Sequence, residues 1–367
     1  MKVLMTADTV GGVWTYALEL ARALEPHDVE IVLATMGAPM SPAQRDEVAG
    51  LENVRVHESS FRLEWMQSPW DDVARAGDWL LGLAAHEQPD VIHLNGYAHG
   101  DLPWPAPVLM VGHSCVLSWW EAVKGVPAPR EWDEYARRVA SGLHAADLVV
   151  APSRTMLSAL ERLYGLTRAS CAIPNGREQR GAGPAAKEHI VLAAGRLWDE
   201  AKNLEALDRV AAQLPWPVYL AGNTDSPDGQ AREYRGAQLL GMLDSSSLAQ
   251  WMARAAIYAL PARYEPFGLT VLEAAQAGCA LVLGDIPSLR ELWGDDALYL
   301  EPDDDSALAD VIHRLCSDDV LRTRMGARAR GRALGFTPRR MAARYHSAYC
   351  TLIGVARRSA REVLCAS

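Results

Sequence analysis

The feature that most narrows the possible folds is a strand, loop, helix, strand pattern in the C-terminal half. Residues 257–260 and 280–283 are short apolar runs. Between them lie Tyr264-Glu265-Pro266-Phe267-Gly268 and a stretch of helix-forming composition, 269–277. Apolar runs of this kind belong in a sheet covered on both faces, and an intervening helix makes the two runs parallel. The loop 264–268 then lies at the carboxyl end of a parallel strand, where open α/β sheets bind ligands. Pro266 restricts its own backbone and that of Glu265, and Gly268 permits a tight approach, so Glu265 stands on the loop and Glu273 on the helix. Backbone N–H groups near 267–270 have no partner inside that helix and are free to face an anion or a hydroxyl.

The same alternation recurs along the chain. Residues 2–6, 29–34, 91–94, 108–111 and 148–151 read as buried strands, with helical patterns at 13–24, 78–86, 131–145 and from Ser153 as a cap to 164. A second series starts at 190–194 and continues at 218–220. With 367 residues, of which 49% are apolar, the chain suits two ordinary domains and excludes general disorder. The small, flexible stretch 181–184 suits a boundary between them.

Two glutamates on a loop and a helix fit solvation and a surface ion pair as well as they fit a site. The stretch 264–279, YEPFGLTVLEAAQAGC, however, resembles the signature of the retaining glycosyltransferases of the glycogen-synthase-like and sucrose-synthase-like group, family 4. Their pattern is Glu, seven residues, Glu, with Pro-Phe-Gly after the first, and Glu265 and Glu273 match it. The resemblance implies the α/β GT-B architecture: two Rossmann-like domains facing a cleft, with a C-terminal helix crossing back to the first. On that basis we expect an acceptor-side domain at 1–178, a nucleotide-sugar domain at 179–340 and a helical tail at 341–367.

Several further residues take roles from the resemblance. Asp8-Thr9-Val10-Gly11-Gly12 is a strand, glycine loop, helix unit lacking both a dinucleotide fingerprint and a P-loop lysine. By spacing alone, Gly11 and Gly12 fit a tight turn; the family implies close backbone approach to the donor diphosphate and the acceptor. His113, in the loop after 108–111, is by itself an ordinary loop histidine, and the family places such a residue at the reaction centre. Asn95, Tyr97 and His99 follow the strand 91–94 and are candidates for sugar contact, while His93 within that strand reads as packed. Trp119 and Trp120, like the aromatic segment 59–71, fit either packing or an acceptor-side wall.

In the second domain Arg196 and Lys202 are six apart across a strand-to-helix loop. Each fits solvent exposure, and together they are spaced to converge on one diphosphate. They are expected to hold the charge that builds on the leaving nucleotide. Glu273 is expected to hold the ribose, and Glu265 with the backbone of Phe267, Gly268 and Leu269 the sugar hydroxyls. At the hinge, relatives often continue Asn175-Gly176 with an aliphatic residue and Asp; this chain has Arg177-Glu178, to which no role is given. Residues 238–242 resemble the stretch near the nucleotide base, and uracil is favoured only as a family average.

The expected reaction is retaining, same-face transfer of a hexose-type sugar from a nucleotide diphosphate sugar, UDP favoured over GDP or ADP, to a hydroxyl acceptor such as a glycan or small glycoside. It calls for no metal and no permanently bound cofactor. Alternatives are a GT-B sugar phosphorylase, a nucleotide-sugar epimerase, or an inactive nucleotide-sugar-binding protein. The formal charge of −10 disfavours a nucleic-acid partner, and residues 1–170 carry 13 Lys/Arg against 22 Asp/Glu, so no broad basic patch for anionic lipid is visible there. No apolar run reaches the roughly 20 residues of a membrane span, and Met1-Lys2 opens directly into a strand, so a cytoplasmic protein is expected, with peripheral membrane association left open. Six cysteines without paired spacing give neither a disulfide framework nor a zinc site. The acidic run 301–305 reads as helix capping and solvation.

Overall fold

The computed structural model describes residues 1–179, 186–225 and 232–366, with backbone alone for 359–366. The expected boundary at 181–184 and the 226–229 part of the loop following residue 223 lie outside the described residues. The chain divides into two units. The first comprises Met1–Ser118, Pro127–Gly176 and Pro338–Ser367, the second Trp119–Val126 and Arg177–Thr337.

The first unit is built on seven parallel strands: β1 (Lys2–Asp8), β2 (Glu30–Met36), β3 (Val54–Glu58), β4 (Val91–Leu94), β5 (Val108–Val111), β6 (Leu148–Ala151) and β7 (Ser170–Ala172). They lie in the order β3-β2-β1-β4-β5-β6-β7. The chain therefore moves outward from β1 through β3 and returns to the other side of β1 at β4. At such a reversal the loops leaving β1 and β4 part to opposite faces and open a crevice between their carboxyl ends. The central strands β4 and β5 are buried at every position, as a sheet covered on both faces requires.

One covering element comes from the far end of the chain. In the helix Pro338–Ala366, Met341, Tyr345, Tyr349 and Leu352 recur at helical spacing, and all are buried in the core formed by helix Gly12–Leu24 with β1 and β2. Burying two tyrosines completely removes enough apolar surface to hold the helix there, at roughly 25 cal/mol per Å².

The second unit has six parallel strands, β8 (Glu188–Ala194), β9 (Val218–Ala221), β10 (Gln238–Gly241), β11 (Ala255–Leu260), β12 (Ala280–Gly284) and β13 (Leu298–Leu300), in the order β10-β9-β8-β11-β12-β13. Its reversal falls between β8 and β11. Leu192 pairs with Tyr258 across that junction and Tyr258 with Leu281 on the other side, so the loops after residues 194 and 260 leave side by side. The acidic run behaves as expected: Asp304 caps its helix by accepting from Ala307 N at 2.8 Å, and Asp305 takes both arms of Arg209. Among the described residues no helix is long and apolar enough to cross a membrane, and no group of His, Cys, Asp or Glu is arranged to hold a metal ion.

Candidate functional site

In the second unit the crevice between β8 and β11 gathers the residues singled out by spacing. Asn203 forms the floor. Its backbone is left-handed (φ 52°), a conformation asparagine tolerates better than most residues, and this turns the chain sharply into helix Leu204–Val210. Its buried amide donates to Pro261 O at 3.0 Å and Pro302 O at 2.6 Å. Arg263 N donates to Ala201 O at 2.9 Å, which clamps the β8 loop to the β11 loop.

On that floor Lys202 Nζ lies 2.6 Å from Glu265 Oε2, with both side chains mostly buried. Arg196 pairs with Asp199 at 2.6 Å, and Asp199 also accepts from Ala201 N and from Trp119 Nε1 at 3.2 Å. Burial opposes ionisation of Asp199, but Arg196 and Lys202 outweigh it and hold its carboxyl below the usual range. Two cations and two carboxylates thus share one small volume, and a diphosphate entering it has to take the cations from their present partners.

The glutamate motif folds as its residues dictate. Gly268 has φ 84°, a left-handed value, and an added Cβ would come within 2.9 Å of Val271 Cγ2. This starts helix Leu269–Gln276, while Phe267 N points at Glu265 Oε1 (3.3 Å) and Ser288 Oγ donates to Glu265 O (2.6 Å). Beneath it Tyr258 donates to Ala194 O and contacts Thr270 Oγ1, joining the end of β8 to the first turn of the helix. Glu273 faces Arg177, whose buried Nε lies 2.5 Å from Oε1, and Gln276 donates to Arg177 O. Arg177, given no role on sequence grounds, is therefore the electrostatic partner of the second glutamate. The β9 loop closes the group: Gly222 (φ 147°) lies so near that an added Cβ would meet Gly195 O at 1.8 Å.

The first unit has its own hollow at the β1/β4 reversal, lined by Asp8, Arg62, Glu64, Trp65, Asn95 and His99 among others. Asp8 Oδ1 accepts from Val10 N and Gly11 N, an Asx turn that shapes the glycine loop. Gly11 itself has φ −143°, ordinary extended backbone, so no forced turn requires its lack of a side chain. Glu64 accepts from Tyr97 N and Ala98 N; burial pushes its carboxyl up against the pull of those amides. His113 Nε2 lies 2.8 Å from Asn95 Oδ1, and burial pushes its imidazole down to about 3.

One expectation is corrected here. Tyr97 is buried, its hydroxyl donating to Ser114 O, so it ties two loops together and does not face a sugar. His99 borders the hollow, but its Nε2 is committed to Val73 O at 2.9 Å. Trp119 and Trp120 fall in the second unit, where Trp119 Nε1 donates to Asp199 Oδ1. Asn203, Tyr258 and Arg177 were missed because their value lies in partners some 60 to 100 residues away. Asp8 carried a local signal, an Asp ahead of Gly-Gly.

Comparison with known proteins bears on the whole chain. The family profile described as "Glycosyltransferase Family 4" matches residues 10–178, and that described as "Glycosyl transferases group 1" matches 188–318. A glycogen synthase of Mycobacterium tuberculosis is 27% identical over 88% of this chain and 86% of its own. A D-inositol 3-phosphate glycosyltransferase of Xylanimonas cellulosilytica is 27% identical over 89% of this chain and 88% of its own. In structure, sucrose-phosphate synthase of Thermosynechococcus elongatus superposes with a TM-score of 0.80 at 20% identity, covering 97% of this chain and 100% of that one. An Anabaena protein solved with UDP-glucose gives 0.72 at 18% identity, covering 96% and 100%.

Proposed function

We propose, for a chain that belongs to the glycosyltransferases of the two-domain GT-B fold, in the family 4 group, and that draws on a nucleotide-sugar donor, a retaining transfer of a hexose-type sugar from a UDP-sugar to a hydroxyl acceptor. The observation that carries the site assignment is the Lys202–Glu265 pair at the reversal of the second sheet, with Arg196 beside it. The preference for uridine draws on the UDP-glucose bound by the Anabaena relative.

In this reading Lys202 and Arg196 release their carboxylates to grip the diphosphate. Glu265, freed from Lys202, takes a sugar hydroxyl together with the amides of Phe267, Gly268 and Leu269. Glu273, steadied by Arg177, takes the ribose. In the first unit this reading gives Gly11 and Gly12 a close backbone approach to the ligand and His113 a contact with the reacting sugar. The acceptor oxygen forms its bond to the anomeric carbon as the bond to the diphosphate oxygen breaks, and the hydroxyl proton passes to the departing diphosphate. No carboxylate acts as a covalent nucleophile, because Glu265 is taken up by a sugar hydroxyl and serves binding. Metal assistance has no place in this scheme, since the two cations hold the leaving charge. The five described cysteines are free thiols, in keeping with a cytoplasmic setting.

The test is turnover of the intact enzyme with a panel of nucleotide sugars and simple acceptors, followed by anomeric analysis of the product. UDP-dependent transfer with retained configuration is expected. Phosphate-dependent cleavage, release of a rearranged sugar without acceptor, or donor binding with no transfer to any acceptor would each point to one of the alternatives and sink the proposal.

A further inference from the structure

His113 is the apex of a buried polar network, all of it within the first unit. The orientation of Asn95 is fixed by two contacts to β1: its backbone N donates to Thr6 Oγ1 at 2.8 Å and its side-chain Nδ2 to Thr6 O at 2.7 Å. A carbonyl accepts only, so the amide nitrogen must face Thr6 and Oδ1 must face His113. At 2.8 Å from Oδ1, His113 Nε2 has to carry the proton. A second histidine, His93, approaches the same Oδ1 at 3.3 Å and meets Tyr349 of the C-terminal helix through Nδ1 at 2.6 Å.

From this geometry we infer that Asn95 is a positioning residue that fixes His113 as the neutral Nε2–H tautomer. Nδ1 is thereby left as a hydrogen-bond acceptor for a sugar hydroxyl, and the ring does not act as a proton donor. This rests on the reading that His113 stands at the reacting sugar. The surroundings agree. Tyr16, on helix Gly12–Leu24, meets the His113 ring edge-on at 4.5 Å, and His93, Tyr345 and Tyr349 stand behind it. Burial raises all three tyrosines and lowers both histidines, so none of these five rings carries charge near neutrality. The partner of Nε2 is an amide oxygen and not a carboxylate that would stabilise an imidazolium, so the ring is a fixed dipole.

The intact enzyme labelled with 15N-histidine tests this, with His113→Gln used to assign the His113 signals in spectra from about pH 5 to 9. We expect Nε2 protonated throughout and no titration. Asn95→Asp places a carboxylate on the same nitrogen; His113 should then titrate within that range, and kcat should acquire a fall towards low pH that the wild type lacks. Asn95→Leu offers no acceptor and should give mixed tautomers with kcat lowered about tenfold, donor KM changing far less. A wild-type proton on Nδ1, or an unchanged single tautomer in Asn95→Leu, overturns the inference. Full turnover by His113→Gln would instead reject the placement of His113 at the reaction centre, whatever tautomer it shows.

Discussion

Removing either member of the Lys202–Glu265 pair should abolish most turnover yet move nucleotide affinity in opposite directions. Two unit charges 2.6 Å apart attract by ~1.6 kcal/mol at the dielectric of water and by ~6 kcal/mol at an effective value of 20. Side-chain exposures of 14% and 13% place the pair between those limits. A diphosphate carries more negative charge than a single carboxylate and, in the proposed site, should outcompete Glu265 for Lys202 once it overcomes that attraction. In Glu265→Gln the competitor is gone and Lys202 remains, so UDP alone should bind as tightly as to wild type or several-fold tighter. In Lys202→Ala the cation is gone, and UDP should bind at least about tenfold more weakly, equivalent to ~1.4 kcal/mol. Both variants should lose about 100- to 1,000-fold in kcat, the range for removing one preorganised charge-stabilising group. Stability should fall by no more than about 2 kcal/mol in either, because the surviving group is not fully enclosed and retains access to water. Calorimetric titration with UDP, steady-state turnover and urea unfolding read the three quantities separately. UDP affinity unchanged in Lys202→Ala, or weakened equally in both variants, would refute the exchange of partners on which the site reading depends.

Other outcomes follow from the same packing. Gly222→Ala forces a Cβ against Gly195 O and should cost about 2 to 3 kcal/mol of stability in urea unfolding while raising donor KM, since it pries the β9 loop from the loop carrying Arg196; wild-type behaviour would show that this close approach is unimportant. Asn203→Ala loses two carbonyl partners and meets left-handed backbone, so a loss of about 2 kcal/mol with reduced kcat is expected, and Asn203→Gly should recover the conformational part alone. Burial pushes His93 down to about 3, below its unfolded value near 6.5, so the neutral folded form contributes stability that is intact above pH 6.5 and lost as pH falls towards 3. Urea unfolding of the first unit should accordingly steepen in its pH dependence by about 1.4 kcal/mol per pH unit below about pH 6, and His93→Gln should remove that slope; a slope left intact would mean that the proton is taken up elsewhere.

Much of this protein is readable along the chain because its central strands are short, largely apolar and separated by helical stretches. That pattern admits parallel sheets and little else, and it identified β1, β2, β4, β5, β6, β8, β9, β11 and β12 to within two residues. The strands without a reading as strands, β3, β10 and β13, flank their sheets, and β3 and β10 carry polar or exposed positions that blur the apolar signal. The Glu265 motif was legible for a related reason: a proline, a positive-φ glycine and a following helix set the local geometry with no help from distant residues.

Partner choice was not legible, because it depends on which loops the strand order brings together. Nothing local says that Lys202 meets Glu265, that Arg177 serves Glu273, or that Tyr97 turns inward to Ser114 while Asn95 holds His113. Those pairings exist because strand order sets loops remote in sequence side by side, the β8 and β11 loops for Lys202 and Glu265 and the β4 and β5 loops for Tyr97 and Asn95, while Arg177 precedes β8. Residue chemistry and spacing determined which groups this protein has to work with; the order of the strands in each sheet, set by the packing of the whole unit, decided which of them touch.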